Sequence, residues 1–170
     1  MTQFTFHSPT ADSTRKLGYR IGAQLEAGDI LLLNGELGAG KTTFSQGIGS
    51  ALGVEEVTSP TFVISKIYHG VNLSGQALRL MHLDLYRIHD ESAGIFDDLD
   101  IESYLLTSAV IIEWGDKHIS RLSENYLEIN VVPENKEIDS PRNITMNIHG
   151  DEVFVARWNS SLTKVKASFK

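Results

Sequence analysis

The clearest chemical signature in this chain is carried by eight consecutive residues, 35–42, which read GELGAGKT. They fit the pattern G-x-x-x-x-G-K-[ST], in which a glycine-rich turn presents backbone N–H groups to phosphate oxygens. Lys41 is placed to reach the β- and γ-phosphates of a nucleotide, and the Thr42 hydroxyl is placed to ligate Mg²⁺. Because glycine makes up about 7% of residues, a chance match is expected in roughly one percent of chains of this length. The spacing therefore predicts a phosphate-binding loop, called the P-loop below.

A magnesium ion on such a loop also needs a carboxylate, usually at the carboxyl end of a buried parallel strand. Two residues qualify. Glu113 ends the continuous apolar run 109–112, whereas Asp84 ends the run 78–83, which alternates and contains His82. The patterns favour Glu113 as the metal ligand, and Asp84 would then hold a metal-bound water or position the attacking water. The assignment of the two carboxylates stays open at this point.

The elements around the P-loop are typical of an α/β fold. Residues 30–33, which follow Asp29, form an apolar run expected of a central parallel strand that is covered on both faces. A helix is predicted after the loop, from about Lys41 to Leu52. Before it, a short strand at 4–7 is followed by a helix whose start is signalled by Ser8 and Pro9.

Later segments complete the predicted fold. Strands are expected at 61–68, 78–85, 109–112, 126–132, 143–149 and 153–158. The first two of these are predicted to form a hairpin-like insertion, and short helices are predicted in the acidic stretch 89–102. Alternating strands and helices followed by strands indicate a three-layer P-loop-type α/β domain, with a central mostly parallel sheet and a β-rich C-terminal part.

The composition limits the functions open to the chain. Its 170 residues suit one domain, 1–170, and 15 Lys plus Arg against 22 Asp plus Glu give a net charge of -7. Such an acidic balance argues against autonomous nucleic-acid binding. The absence of cysteine excludes disulfides, thiol nucleophiles and thiolate zinc sites. The first residues lack the basic and apolar regions of a signal peptide, so we expect a cytoplasmic protein.

Other motifs narrow the class of P-loop protein. No Asp-x-x-Gly switch follows Asp84, and residues 135–139 miss the guanine-specificity pattern Asn-Lys-x-Asp by one residue, which disfavours a GTPase. Between residues 43 and 120 the only arginines are Arg79 and Arg87, whereas small-molecule kinases with a P-loop usually carry an arginine-bearing lid. ATP hydrolysis coupled to a conformational step is favoured. A P-loop phosphotransferase and a nucleotide-responsive binding protein without meaningful turnover remain as alternatives.

Four segments together resemble one family: 35–43 (GELGAGKTT), 59–62 (SPTF), 82–87 (HLDLYR) and 113–114 (EW). In type, order and spacing they are similar to TsaE, the P-loop ATPase subunit of tRNA N6-threonylcarbamoyladenosine biosynthesis. The resemblance covers about residues 8–132. It implies a small ATPase that binds ATP or ADP and Mg²⁺. It also implies two binding partners, a carbamoyl-transferase subunit and its pseudo-enzyme partner. These partners modify adenosine 37 of tRNAs, so this chain would act on tRNA only indirectly.

The resemblance also implies roles for single residues. Thr42 and Glu113 would ligate magnesium, while Lys41, Asp84 and Thr61 would support hydrolysis. Thr61 would belong to a switch loop, 59–61, that senses the γ-phosphate. The implied nucleotide-binding residues are Ala11, near the base, and Gly35, Gly38, Ala39, Gly40, Lys41, Thr42 and Thr43 around the phosphates.

Two further features concern the partner surfaces. Lys66 stands where many relatives carry an acidic residue, which would alter the partner contact there. The acidic stretch 90–102 is either a solvated face or a docking surface for a basic partner.

Overall fold

The computed structural model describes residues 3–60, 64–86, 100–137 and 139–169. Within these residues the strands are β1 Gln3–Ser8, β2 Ile30–Asn34, β3 Ser65–Val71, β4 Ala77–Asp84, β5 Ser108–Glu113, β6 Tyr126–Pro133 and β7 Arg142–His149. The helices are α1 Ala11–Gly22, α2 Lys41–Ala51, α3 Ile101–Leu105, α4 Ile119–Leu122 and α5 Glu152–Ser168. None of the helices in these ranges is long and apolar enough to cross a membrane.

All of these strands belong to one sheet, in the order β1-β7-β6-β2-β5-β4-β3. The four central strands, β6, β2, β5 and β4, run parallel to one another. The outer pairings, β1 with β7, β7 with β6 and β4 with β3, are antiparallel. Every apolar residue of β2 is buried, as expected for a strand in the middle of a covered sheet. The predicted α/β class with a central parallel sheet is confirmed.

Helices cover both faces of the sheet. On one face, α1, α2 and α5 pack their apolar residues against the sheet, and Leu17, Phe44, Ile48, Trp158 and Leu162 are all fully or almost fully buried there. On the other face, a smaller cluster joins Met81, Val110 and Ile112 of the strands to Ile101 of α3 and Ile119 of α4. The arrangement has three layers, as the sequence predicts.

The strand predicted at 153–158 is wrong, because this segment lies inside α5. The side chain of Asp151 caps the helix by accepting a hydrogen bond from the backbone N–H of Phe154. Trp158, Leu162 and Val165, at helical spacing, point into the core. Val153, which has a high strand propensity, is 81% exposed. Capping and the burial of one helical face outweigh local strand propensity here.

The hairpin prediction is right in its pairing and wrong in calling the hairpin an insertion. Strands β3 and β4 pair antiparallel, but β4 also pairs parallel with β5 and so extends the main sheet. The turn between them is closed by the Asn72 side chain, which accepts hydrogen bonds from the backbone of Ser74 and Gln76. Of the predicted acidic helices, α3 is confirmed, and residues 89–99 lie outside the described ranges.

Candidate functional site

The candidate site lies at the sheet edge where the central parallel strands end. Register pairing places Leu33 of β2 beside Glu113 of β5, and Glu113 beside Asp84 of β4. The P-loop follows β2 directly, and α2 begins at Lys41. Ligands of open α/β sheets bind at the carboxyl ends of the strands. The structure thus brings the P-loop and both predicted carboxylates to one edge.

The P-loop backbone favours glycine at both positions that the motif assigns to it, 35 and 40, and also at 38. Gly35, Gly38 and Gly40 have φ of 151°, 80° and 111°, a region that side chains rarely adopt. A Cβ at Gly35 would also lie 2.6 Å from the carbonyl oxygen of Val131 on β6. The loop therefore turns tightly against the sheet edge, and Ala39 within it is buried.

The N-terminus of α2 is open to a ligand. Thr10 and Asp151 cap α1 and α5 with side-chain oxygens, whereas Gly40, the N-cap residue of α2, has no side chain to do so. The first turn of α2, which contains the half-buried Thr42 and Thr43, holds no acidic residue. Backbone N–H groups at such a helix start lack intrahelical partners and attract anions. This geometry suits a phosphate group.

Lys41 is buried at the centre of the site. Its Nζ donates hydrogen bonds to the carbonyl oxygens of Gly35, at 2.7 Å, and Glu36, at 3.1 Å. Burial lowers the pKa of Lys41 below its usual value of 10.5, and the charges of Glu113 and Asp84 oppose that shift. The ammonium group is therefore within electrostatic reach of both carboxylates while it is held by the P-loop backbone.

Glu113 is the more deeply buried of the two carboxylates, with 3% of its surface exposed. Its Oε1 lies 2.9 Å from Nε2 of His82, which is itself fully buried on β4. When Glu113 is ionised, Nε2 of His82 carries a hydrogen and donates a hydrogen bond to the carboxylate. His82 is therefore placed to orient Glu113.

Asp84 is half-buried and has different surroundings. Its Oδ1 accepts a hydrogen bond of 3.1 Å from the backbone N–H of Tyr86. Asp84 thus remains accessible at the mouth of the site, while Glu113 is fixed inside it. The two neighbouring carboxylates are suited to different tasks.

The donor set fits magnesium held together with phosphate rather than magnesium held by protein alone. Among the described residues, no group of three or more His, Asp or Glu side chains could hold a metal ion. Mg²⁺ in phosphate-binding sites commonly takes one or two protein oxygens, with phosphate oxygens and waters completing its shell. The Thr42 hydroxyl and the oriented Glu113 carboxylate are oxygen donors of that kind.

Comparison with known proteins identifies the family of the chain. The sequence profile of Threonylcarbamoyl adenosine biosynthesis protein TsaE matches residues 8–144. The chain belongs to the TsaE family. A Streptomyces coelicolor protein named tRNA threonylcarbamoyladenosine biosynthesis protein TsaE is 42% identical over 120 residues, which cover 69% of this chain and 77% of that protein. A Bacillus subtilis TsaE is 34% identical over 154 residues, 89% of each chain.

A solved structure supports the same assignment. The crystal structure of Bacillus subtilis YdiB superposes with a TM-score of 0.74 at 25% sequence identity, and the match covers 98% of this chain and 95% of that one. The predicted TsaE resemblance is confirmed, and so is the predicted fold class. The TsaE profile match ends within β7, so α5 lies beyond it.

An aromatic pair flanks the lysine of this TsaE chain. The Tyr86 and Trp114 rings meet edge to face with centroids 5.1 Å apart, and Nζ of Lys41 lies 4.7 Å from the centroid of the Trp114 ring. Trp114 is 38% exposed and has a φ of 59°, unusual for a residue with a side chain. Trp114 is therefore not a core residue, and it lies beside the P-loop lysine.

The remaining residues predicted for the site lie in different parts of the structure. Ala11 is the first residue of α1 and exposed, and β1 ends just before it at the same sheet edge as the P-loop. Thr61 lies outside the described residues. Lys66 donates to the Thr58 hydroxyl, at 2.6 Å, and to the carbonyl oxygen of Ser59, at 3.5 Å. Lys66 thus binds the segment that leads into the predicted switch loop.

Sequence reasoning missed one buried residue of the site, Arg142, the first residue of β7. Only 7% of its surface is exposed, and its Nε donates to the carbonyl oxygen of Ala39 in the P-loop at 2.9 Å. More than one hundred residues separate the two in the chain, and no motif surrounds Arg142. No signal in the sequence pointed to it.

Proposed function

We propose that this chain is the ATP-binding, Mg²⁺-dependent ATPase subunit that supports threonylcarbamoylation of adenosine in tRNAs. One observation carries the proposal: in a chain of the TsaE family, an uncapped helix start and a glycine-shaped loop adjoin a buried, oriented carboxylate. Phosphate, metal and protein oxygen ligands can meet at such an edge. The relatives' names supply the biosynthetic context.

Binding of the nucleotide would use the backbone first. The N–H groups from Gly38 to Thr43 would take the phosphate oxygens of ATP or ADP, and the Ala11 region would meet the base. Lys41 would exchange its bonds to the Gly35 and Glu36 carbonyl oxygens for bonds to the β- and γ-phosphates. Lys41 is thus already at the loop before the nucleotide arrives.

The Thr42 hydroxyl and Glu113 would hold Mg²⁺, which neutralises charge on the phosphates when bound. Asp84, which remains accessible, would orient the attacking water and accept its proton. Thr61 is the second residue proposed to order that water. His82 would keep Glu113 in its ligating orientation through the bond at 2.9 Å.

Replacing His82 tests its orienting role. We expect His82→Leu, which removes the donor to Glu113, to raise the Mg²⁺ concentration needed for half-maximal ATP hydrolysis by roughly tenfold or more. The matched His82→Gln variant places an amide N–H near the position of Nε2 and should stay close to the parent. The measurement is a magnesium titration at saturating ATP. Equal magnesium requirements for His82→Leu and the parent would refute this role.

We propose that full activity requires the partner proteins, the carbamoyl-transferase subunit and its pseudo-enzyme partner. Stabilisation of a transferring phosphoryl group commonly uses an arginine. Arg79 cannot stabilise it, because Arg79 bonds to Thr107 at the amino end of β5, the opposite edge of the sheet. Arg87 lies outside the described residues. A partner would complete the transition-state contacts, so the chain alone should hydrolyse ATP slowly.

Reconstitution tests the proposed function. Threonylcarbamoylation of tRNA is measured with the partner subunits and ATP, with and without this chain. We expect modification to depend on the chain, and its ATPase rate to rise by roughly tenfold or more with the partners. The Lys41→Met chain is the matched negative control. Modification that proceeds equally well without the chain, or a phosphorylated small molecule as the product of ATP, would overturn the proposal.

A further inference from the structure

We propose that Arg142 is the positioning residue of the P-loop, which fixes the loop backbone in its anion-binding orientation through the Ala39 carbonyl. The inference rests on the nucleotide binding proposed above. Arg142 donates from Nε to the carbonyl oxygen of Ala39, at 2.9 Å, and from Nη1 to the carbonyl oxygen of Ser140, at 2.8 Å. One guanidinium group therefore ties the P-loop to the loop before β7.

The direction of the Ala39 carbonyl group determines the direction of the Gly40 N–H group, because both belong to the same peptide unit. The peptide unit between Ala39 and Gly40 is trans and planar, so its C=O and its N–H point to opposite sides. With the carbonyl held on Arg142, the Gly40 N–H must face away from the guanidinium. In the proposal, the phosphate occupies that side of the loop. In a loop without this contact, rotation of the peptide unit would point the carbonyl oxygen at the phosphate and repel it.

The charge of Arg142 adds to this geometric effect. A guanidinium group remains protonated in proteins, and Arg142 is buried at the sheet edge that carries the P-loop. A cation fixed behind the loop favours an anion in front of it, with little screening by solvent. Arg142 thus supplies positive potential without touching the nucleotide itself.

The same contact explains a glycine of the P-loop motif. A Cβ built on Gly40 would lie 2.9 Å from Nε of Arg142 and 3.3 Å from its Cδ. Any side chain at residue 40 would push the guanidinium off the Ala39 carbonyl. Gly40 and Arg142 therefore act together, although they are far apart in the chain.

The arrangement also joins the P-loop to the region proposed to meet the base. Arg142 is the register partner of Ser8, the last residue of β1, and α1 begins three residues later at Ala11. Ser8 is buried and its hydroxyl bonds to the Thr14 hydroxyl at 2.8 Å. Arg142 lies between the two segments that the nucleotide would span.

The test is the affinity of the full chain for ADP, measured by calorimetric titration, for the parent and for Arg142→Met. We expect Arg142→Met to raise the dissociation constant by roughly ten- to a hundredfold, the range that the loss of a hydrogen bond from a charged donor costs. Arg157→Met is the matched control. Arg157 forms an ion pair with Asp29 before β2, at the opposite edge of the sheet.

Thermal melting of Arg142→Met and Arg157→Met without nucleotide shows whether a loss of ADP affinity comes from a displaced P-loop or from a general loss of stability. Arg157→Met should lower the melting temperature and leave the ADP affinity within about twofold of the parent, since it acts far from the loop. Equal ADP affinity in the parent and Arg142→Met would overturn the inference. So would an equal loss of affinity in both variants. Failure of the parent itself to bind ADP would instead refute the proposed function.

If Arg142→Met does not fold, Arg142→Lys carries the same test. A lysine keeps the charge but has no planar fork, so it cannot reproduce both carbonyl contacts at once. We expect a several-fold rise in the ADP dissociation constant with a melting temperature close to the parent. An unchanged dissociation constant in Arg142→Lys would count against the positioning role.

Discussion

Replacing Lys41 by methionine should weaken ATP binding by roughly a hundredfold or more and abolish measurable hydrolysis, because it removes the buried ammonium group while keeping its hydrophobic stem. The measurement is a fluorescent-nucleotide titration together with release of inorganic phosphate. Lys164→Met is the control, since it removes an exposed lysine of α5. Normal ATP affinity in Lys41→Met would refute the proposed phosphate site.

In the absence of nucleotide, the stability of the parent relative to Lys41→Met should depend on pH. Burial lowers the pKa of Lys41, which means that the folded state disfavours the charged form. The unfolded chain then binds more protons between the folded pKa and 10.5, so the stability of the parent rises with pH through that window. We expect the melting temperature of the parent to rise relative to that of Lys41→Met as the pH increases through that window. A fall of the parent's melting temperature relative to the variant's over the same window would contradict this sign.

Replacing Glu113 by glutamine should abolish the contribution of magnesium to nucleotide binding and lower hydrolysis by roughly a hundredfold or more. Glutamine keeps the shape of the side chain but supplies a much weaker ligand for Mg²⁺. The measurement compares ATP affinity with Mg²⁺ and with EDTA. The parent should bind more tightly with Mg²⁺, and Glu113→Gln should bind equally in both.

Asp84→Asn is the matched variant, because Asp84 is the register neighbour of Glu113 on β4. We expect it to keep the magnesium effect on binding and to lose turnover, in line with a role in ordering water. The reverse pattern, a lost magnesium effect in Asp84→Asn and a retained one in Glu113→Gln, would assign the metal to Asp84.

The centre of the fold was predictable from local sequence because its signals are strong and agree with one another. A continuous apolar run, a glycine-rich turn and a helix follow in order, and the structure has β2, the P-loop and α2 there. The apolar run that ends at Glu113 likewise predicted β5, whose residues are all buried. Strands covered on both faces need such runs.

The C-terminal helix was not predictable from the pattern used. Val153, Phe154 and Val155 favour strands locally, but the residues that α5 buries, Trp158 and Leu162 among them, lie further along the chain. Only the cap at Asp151 and the four-residue spacing after it indicate a helix. Tertiary packing outweighed propensity in this segment.

Sequence motifs predicted which residues belong to the candidate site, but not the contacts between them. The P-loop, Asp84 and Glu113 do meet at one edge, as parallel strands require. The bond between His82 and Glu113 depends on the register of β4 against β5, which no local pattern encodes. Arg142 reaches the P-loop from a strand two places away in the sheet.

The position of β2 in the sheet has a consequence for how this chain is made. Both neighbours of β2 come from the second half of the chain, 108–113 and 126–133. A nascent polypeptide that has just completed the P-loop therefore still lacks the strands on either side of it, and pairing between such distant segments is slow. The proposed nucleotide would therefore bind only after most of the protein has left the ribosome, and its binding would stabilise the complete sheet rather than the loop alone.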